Sequence, residues 1–203
     1  AAGALYHVMA RGNAKMAIYC DDVDCHRFLR VLETVVERHR IECHAYCLMS
    51  NHYHLVIRTP EPNRSAAIQY LNGVYAQWWN KRHKRVGHLL AGRFKAQFIQ
   101  RDGYLLEACR YVVLNPVRAG LVKNVEDWRW SSYAATAGLA PRPPWLKTRL
   151  ILGPRPATTR LDYRAMDQCL GFVRAQFWLA VQGRCHAQRS AAPVRRCGQR
   201  PRS

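Results

Sequence analysis

The chain carries two histidines one residue apart, His52-Tyr53-His54. They lie in Cys47-Leu48-Met49-Ser50-Asn51-His52-Tyr53-His54-Leu55-Val56-Ile57-Arg58, a stretch that reads as β-strand. Side chains alternate across a strand, so positions 52 and 54 share a face and Tyr53 points the other way, toward a core. Two neutral imidazoles so placed can hold one metal ion. Two half-buried histidines with no ligand between them give the same spacing, and spacing alone leaves both readings open.

A second group of polar side chains follows from helical spacing. Gly103 to about Leu114 reads as a helix, with Asp102 as its cap. Leu105, Ala108, Cys109 and Val112 form its apolar stripe. Tyr104, Glu107, Tyr111, Asn115 and Arg118 fall along a mostly polar side. Pro116 disfavours helix at Asn115, so the helix should end or bend there. A phenol and a carboxamide thus lie one turn apart. Residue types alone favour an edge tyrosine and an Asn that caps the helix end, since the chain has ten tyrosines.

Composition narrows the partners. The 203 residues hold 32 Lys+Arg against 13 Asp+Glu, a formal net charge of +19. Such an excess points to a polyanion, nucleic acid or an anionic membrane surface, and its size favours nucleic acid over a charge that serves solubility alone. No run approaches the roughly 18 apolar residues of a membrane span. Between residues 43 and 101 the only acid is Glu61. A carboxylate-rich two-metal centre on the central strands is therefore not expected, and histidine is the available ligand. The Cys20-x4-Cys25 and Cys43-x3-Cys47 spacings are not those of paired zinc knuckles. Cys43 and Cys47 should share a strand face with Ala45 as small core residues. With no secretory pattern at the amino terminus, reduced thiols and a cytoplasmic, nucleoid-associated location are expected.

The elements that must position these residues follow from periodicity. Ala4 to Ala10 reads as a first strand and Arg11-Gly12-Asn13 as a turn. Asp21 or Asp22 can cap a helix through about Arg38, with Phe28, Leu29, Leu32, Val35 and Val36 facing inward. Ile41 to Met49 is a second strand, and Ser50-Asn51 a tight turn into the histidine strand. A second helix runs from about Arg64 to Lys81, with Ile68, Leu71, Val74, Tyr75 and Trp78 inside. A fourth strand spans Phe94 to Ile99. This order predicts an α+β fold, a ferredoxin-like antiparallel sheet with helices, over residues 1–138. Pro141-Arg142-Pro143-Pro144 reads as a linker into a basic carboxyl-terminal extension, 139–203. Residues 141–203 hold 13 Lys+Arg and two acids, a charge of +11. A helix near Leu161 to Val181 and disorder beyond it are expected.

Several of these segments, in order, resemble one family. They are Gly3-Ala4-Leu5-Tyr6-His7-Val8, Arg11-Gly12-Asn13, His44 to Leu55, Gly87-His88-Leu89-Leu90-Ala91-Gly92-Arg93-Phe94-Lys95-Ala96, and Arg110-Tyr111-Val112-Val113-Leu114-Asn115-Pro116-Val117-Arg118-Ala119-Gly120. Together, over residues 3–137, they resemble the REP-associated tyrosine transposases, members of the HUH (His-hydrophobic-His) single-strand DNA transposases. Ser50 stands where Pro is usual in that family and Phe94 where Tyr is usual.

The resemblance implies a metal-dependent enzyme that cuts and joins single-stranded DNA beside hairpins through a 5′-phosphotyrosine. It implies His52 and His54 as metal ligands, Asn115 as the residue that completes or supports the metal site, and Tyr111 as the nucleophile. The cofactor it implies is a divalent metal, Mg²⁺ or Mn²⁺. The expected partner is single-stranded hairpin DNA, with no membrane, and a monomer is expected. Arg11, Asn13, Arg85, Arg93, Lys95 and Arg118, in or near the motif segments, are the DNA-binding candidates, with Arg11 and Asn13 placed to read unpaired bases. The alternative is a non-catalytic relative that binds hairpin DNA.

Overall fold

The computed structural model describes residues 2–99 and 105–152. Four strands form one sheet: β1 (Ala4–Arg11), β2 (Glu42–Met49), β3 (His52–Thr59) and β4 (Lys95–Ile99), in the order β2-β3-β1-β4. All neighbouring pairs are antiparallel. β1 and β2 therefore run the same way with β3 between them. Helix α1 (Asp22–His39) makes the crossover that this arrangement requires. Asp21 caps α1 by accepting a hydrogen bond from the Asp24 backbone N–H at 3.1 Å.

The sheet has two differently covered faces. α1 and α2 (Arg64–Arg82) pack on one, around Val8, Phe28, Leu32, Tyr53, Leu55, Ile57, Leu71 and Tyr75. Helix α3 (Leu105–Val113) packs on the other, where Leu5, Ala45, Cys47 and Val56 meet Leu105, Ala108, Cys109 and Val112. Trp79 is the more deeply buried tryptophan of α2, and Trp78, expected inside, only leans against the core. The residues expected as the apolar stripe of α3 are buried, and Val113 is buried with them. Tyr104 and the cap at Asp102 lie outside the described residues.

One strand expectation is corrected. Cys43 does not share a face with Ala45 and Cys47. The pairing of β2 with β3 shifts register between Cys43 and Ala45, so Cys43 joins the α1/α2 core and Ala45 and Cys47 the other. A bulge re-aims the residue beside it.

The outer edge of β2 is covered rather than bare, which removes a template for unwanted pairing. Leu48 N donates to Trp130 O and Ser132 N to Tyr46 O, each at 2.9 Å. Farther along, Lys147 N donates to Cys43 O at 2.8 Å, and Trp145 packs on Tyr46. Ile151 and Leu152, in the short helix Arg149–Leu152, are buried, Ile151 on the α3 side. Packing thus continues past Gly138 and past the proline-rich stretch read as a linker. The helix expected near Leu161 to Val181 lies outside the described residues. Among the described residues no helix is long and apolar enough to cross a membrane.

Candidate active site

Strand alternation puts His52 and His54 on the α3 face of β3, as expected, with Tyr53 buried on the opposite face. Register brings a third histidine to them. His7 of β1 lies opposite Val56, and Met9 lies opposite His54, so His7 is the diagonal neighbour of His54. His7 Nε2 and His54 Nδ1 are 2.9 Å apart in a hydrogen bond, and the two rings stack at 5.1 Å. The His52 and His54 rings meet edge-on at 4.9 Å.

All three imidazoles are held neutral at pH 7. Burial pushes His7 down to about 4. Burial, helped by the nearby positive charge of Arg11, pushes His52 down to about 4. His54 is held well below the ordinary histidine value by burial first, then by His7, His52, Arg11 and Arg118. A neutral imidazole keeps one lone pair for a ligand, whereas an imidazolium has none.

Helix α3 lays Tyr111 across this group. The Tyr111 ring stands edge-on to His7 at 5.7 Å and to His54 at 6.4 Å. The Arg118 guanidinium lies over the Tyr111 ring at 4.5 Å. Arg118 sits on the short helix α4 (Asn115–Arg118), which restarts after a bend at Leu114. The bend follows from Pro116, which has no N–H to offer the carbonyl of Val112. Asn115 fills that gap: its Nδ2 donates to Tyr111 O at 2.9 Å and Val112 O at 3.2 Å. The carboxamide is therefore a helix-end clamp whose NH₂ is spent on α3, which leaves its Oδ1 as the end available to a ligand. Among the described residues it makes no hydrogen bond to the imidazoles.

The basic candidates gather at the same end of the sheet. Arg11 is opposite His52, and Lys95 is opposite Met9. Both are exposed, as are Asn13, Arg85, Arg93 and Arg118. Arg85 reaches the Arg11–Lys15 turn from the end of α2, with its guanidinium 3.6 Å from Met16 Sδ. The segment before β4 joins the turn as well: Asn13 N donates to Leu89 O and Ala91 N to Arg11 O, each at 2.8 Å. Gly12 is needed there, because a Cβ would meet Met16 O at 2.1 Å.

Sequence reading missed His7 and Asn51 as members of this neighbourhood. His7 shares a strand face with Arg11 at even spacing, which is the one signal the chain offered. Another group, Cys20, Asp24 and His83, has ligand atoms within 4.8 Å of one another and could hold a metal. Its buried carboxylate already accepts from Arg82 Nη1 at 2.6 Å, His83 Nε2 at 3.0 Å and Cys20 N at 2.8 Å. A guanidinium in contact repels a cation, so this group is an ion-pair clamp between α1 and the end of α2.

Comparison with known proteins gives the family. Residues 2–115 match the family described as "Transposase IS200 like", more than half of the chain. A Haemophilus influenzae protein assigned to the REP-associated tyrosine transposases is 27% identical over 117 residues. That match covers 52% of this chain and 66% of the relative, just under two thirds of its length. A solved structure of a REP-associated tyrosine transposase bound to a REP hairpin superposes with a TM-score of 0.56 at 19% identity. It covers 68% of this chain and 82% of that one, a likeness of fold. On the family match the chain belongs to the IS200-like transposases, and its resemblance to the REP-associated tyrosine transposases is upheld.

Proposed function

We propose that this chain is a divalent-metal-dependent single-strand DNA endonuclease and strand transferase acting at hairpin DNA through Tyr111. The observation that carries the reading is the meeting of Tyr111 with His54 and His7 across the β3–α3 packing. The basic residues around that end of the sheet support a nucleic-acid partner, and the +19 charge supports it further. The IS200-like family is one of DNA-processing enzymes, which fits a cutting role.

The residues fit a divalent ion. Two neutral imidazoles and the Oδ1 of Asn115 make a nitrogen and oxygen donor set, and Mn²⁺ suits it intrinsically better than Mg²⁺. Lewis acidity toward a non-bridging phosphate oxygen is the chemistry such an ion supplies when bound. The protein's own groups do the rest. Arg118 and Arg11 carry positive charge to where a scissile phosphate must arrive. Tyr111 Oη attacks phosphorus, a phosphotyrosine ester forms, and the P–O3′ bond breaks. The phenol proton leaves and the 3′-oxygen takes up a proton to become a hydroxyl. That hydroxyl can attack a phosphotyrosine in turn, which restores the phenol and joins strands without an external energy source. A phenol near neutral pH is about one part in a thousand ionised, so positioning it accounts for much of the task.

The test incubates the full chain with a single-stranded hairpin oligonucleotide and Mn²⁺, with and without chelator, and resolves covalent adducts on a denaturing gel. A chelator-sensitive adduct is expected from the wild type and none from Tyr111→Phe, with hairpin affinity nearly unchanged. Tight hairpin binding with no adduct under any divalent ion would mean a non-catalytic binding relative instead.

A further inference from the structure

We propose that Asn51 is a positioning residue that holds His52 in the Nδ1–H form, so that Nε2 keeps the lone pair a divalent ion needs. The inference rests on the metal reading above and assigns how one ligand of that site is prepared.

The chain of contacts admits one direction. Asn51 Nδ2 lies 3.0 Å from the carbonyl oxygen of Lys15. A carbonyl can only accept, so the NH₂ end of the carboxamide must face Lys15 and Oδ1 must face the other way. Asn51 Oδ1 lies 2.6 Å from His52 Nδ1. A carboxamide oxygen also only accepts, so Nδ1 must carry the proton. A neutral imidazole has one proton, and Nε2 is therefore the bare nitrogen. The neighbouring contact differs. His7 and His54 join two imidazoles, each able to give or take a proton, so that bond fixes no direction.

The Lys15 carbonyl is held in place at some cost. Ala14 and Lys15 take φ of 50° and 60°, left-handed values that residues with a Cβ adopt only under strain. Neither Ser50 nor Asn51 has positive φ, although a two-residue hairpin turn favours it. The turn is instead clamped from outside. Gly12 N donates to Asn51 O at 2.8 Å, and Ile18 N and Tyr19 N donate to Ser50 O at 2.9 and 3.2 Å. The 12–19 loop thus fixes the turn, presents the Lys15 carbonyl, and through Asn51 sets the proton on His52.

The test is nitrogen-15 imidazole spectroscopy on the full chain, histidine-labelled and metal-free near neutral pH, with Mn²⁺ titration calorimetry beside it. In the wild type, His52 Nδ1 should give a protonated-ring signal and Nε2 a bare-nitrogen one. Asn51→Ala should shift both toward the mixed-tautomer position and weaken Mn²⁺ binding about 10- to 100-fold. Asn51→Asp keeps an acceptor for Nδ1–H but loses the donor to Lys15. It should restore the wild-type tautomer and Mn²⁺ affinity at or above the wild-type level. A wild-type His52 protonated on Nε2, or an Asn51→Ala variant with unchanged tautomer, overturns the inference whether or not Mn²⁺ binds. The expected tautomers with no Mn²⁺ binding by the wild type overturn the metal reading and leave the proton assignment standing.

Discussion

On one face of β3, Tyr53, Leu55 and Ile57 are sealed beneath α1 and α2; on the other, His52 and His54 meet His7 and Tyr111. Both faces are built from alternate residues of one strand, and both bury polar atoms. The difference lies in how those atoms are spent. The Tyr53 hydroxyl donates to Asn72 Oδ1 at 2.7 Å, and Tyr75 donates to the Ile18 carbonyl at 2.5 Å. These are closed pairs that help specify a core. On the α3 face each ring nitrogen bonded to Asn51 or His7 leaves the opposite nitrogen of the same imidazole for something else. Burial alone does not make a site. What separates the two faces of β3 is whether the polar atoms of its own buried side chains are used up by the protein itself.

The largest effect that would break this contrast is on the histidine face. His52→Ala with His54→Ala should abolish adduct formation and calorimetric Mn²⁺ binding. The sheet should still fold, since Tyr53, Leu55 and Ile57 hold β3 to its core. Circular dichroism checks the fold, and wild-type Mn²⁺ affinity in the double variant would remove both residues from the metal site.

A smaller effect is expected from the carboxyl-terminal part. Because packing runs to Leu152, the informative truncation follows that residue rather than Gly138. Residues 153–203 hold ten Lys+Arg and two acids. Their removal should weaken single-stranded DNA binding and flatten the slope of log affinity against log salt, by about 0.7 for each phosphate that is no longer neutralised. Hairpin preference should stay, because phosphate contacts position and base contacts specify. An unchanged slope would mean that the sheet end carries the binding alone.

Tyr53→Phe probes the opposite face. It leaves Asn72 Oδ1 without its donor and should cost about 1–2 kcal/mol in urea unfolding. Adduct yield should not change. A large loss of activity with little loss of stability would show that the two faces are not as separate as their packing suggests.

The smallest effect concerns His44, a buried histidine outside the site. Its Nδ1 lies 2.8 Å from the Lys147 carbonyl, and burial lowers its pKa despite that bond and Glu42. The unfolded chain then binds this proton more readily than the folded one. The contribution of His44 to stability is full above the unfolded value of about 6.5 and is lost as pH falls toward the folded value. His44→Asn should make the acid limb of a stability–pH profile shallower and leave Mn²⁺ binding unchanged.

Much of the scaffold was legible because it rests on local pattern. The runs from Ala4 to Ala10 and around His52-Tyr53-His54 read as the strands that are β1 and β3, Asp21 or Asp22 marked the start of α1, and Pro116 marked the bend after α3. His52, His54 and Tyr111 could be named from spacing and family resemblance. What was not legible depends on register and on distant chain. His7 reaches His54 only because β1 pairs with β3 in one particular alignment. Asn51 reads as a turn residue until the Lys15 carbonyl arrives from 36 residues earlier. The bulge at Cys43 and the covering of the β2 edge by residues 130–147 likewise leave no periodic trace.

The claim that the α3 face is the catalytic one is tested most directly by finding which of the ten tyrosines carries DNA. Wild-type protein is trapped on a hairpin substrate with Mn²⁺, digested with nuclease and protease, and the modified peptide is sequenced by mass spectrometry. A nucleotide-linked phosphotyrosine at Tyr111 is the expected result. A modified tyrosine on the α1/α2 side, such as Tyr53 or Tyr75, at normal adduct yield would contradict it.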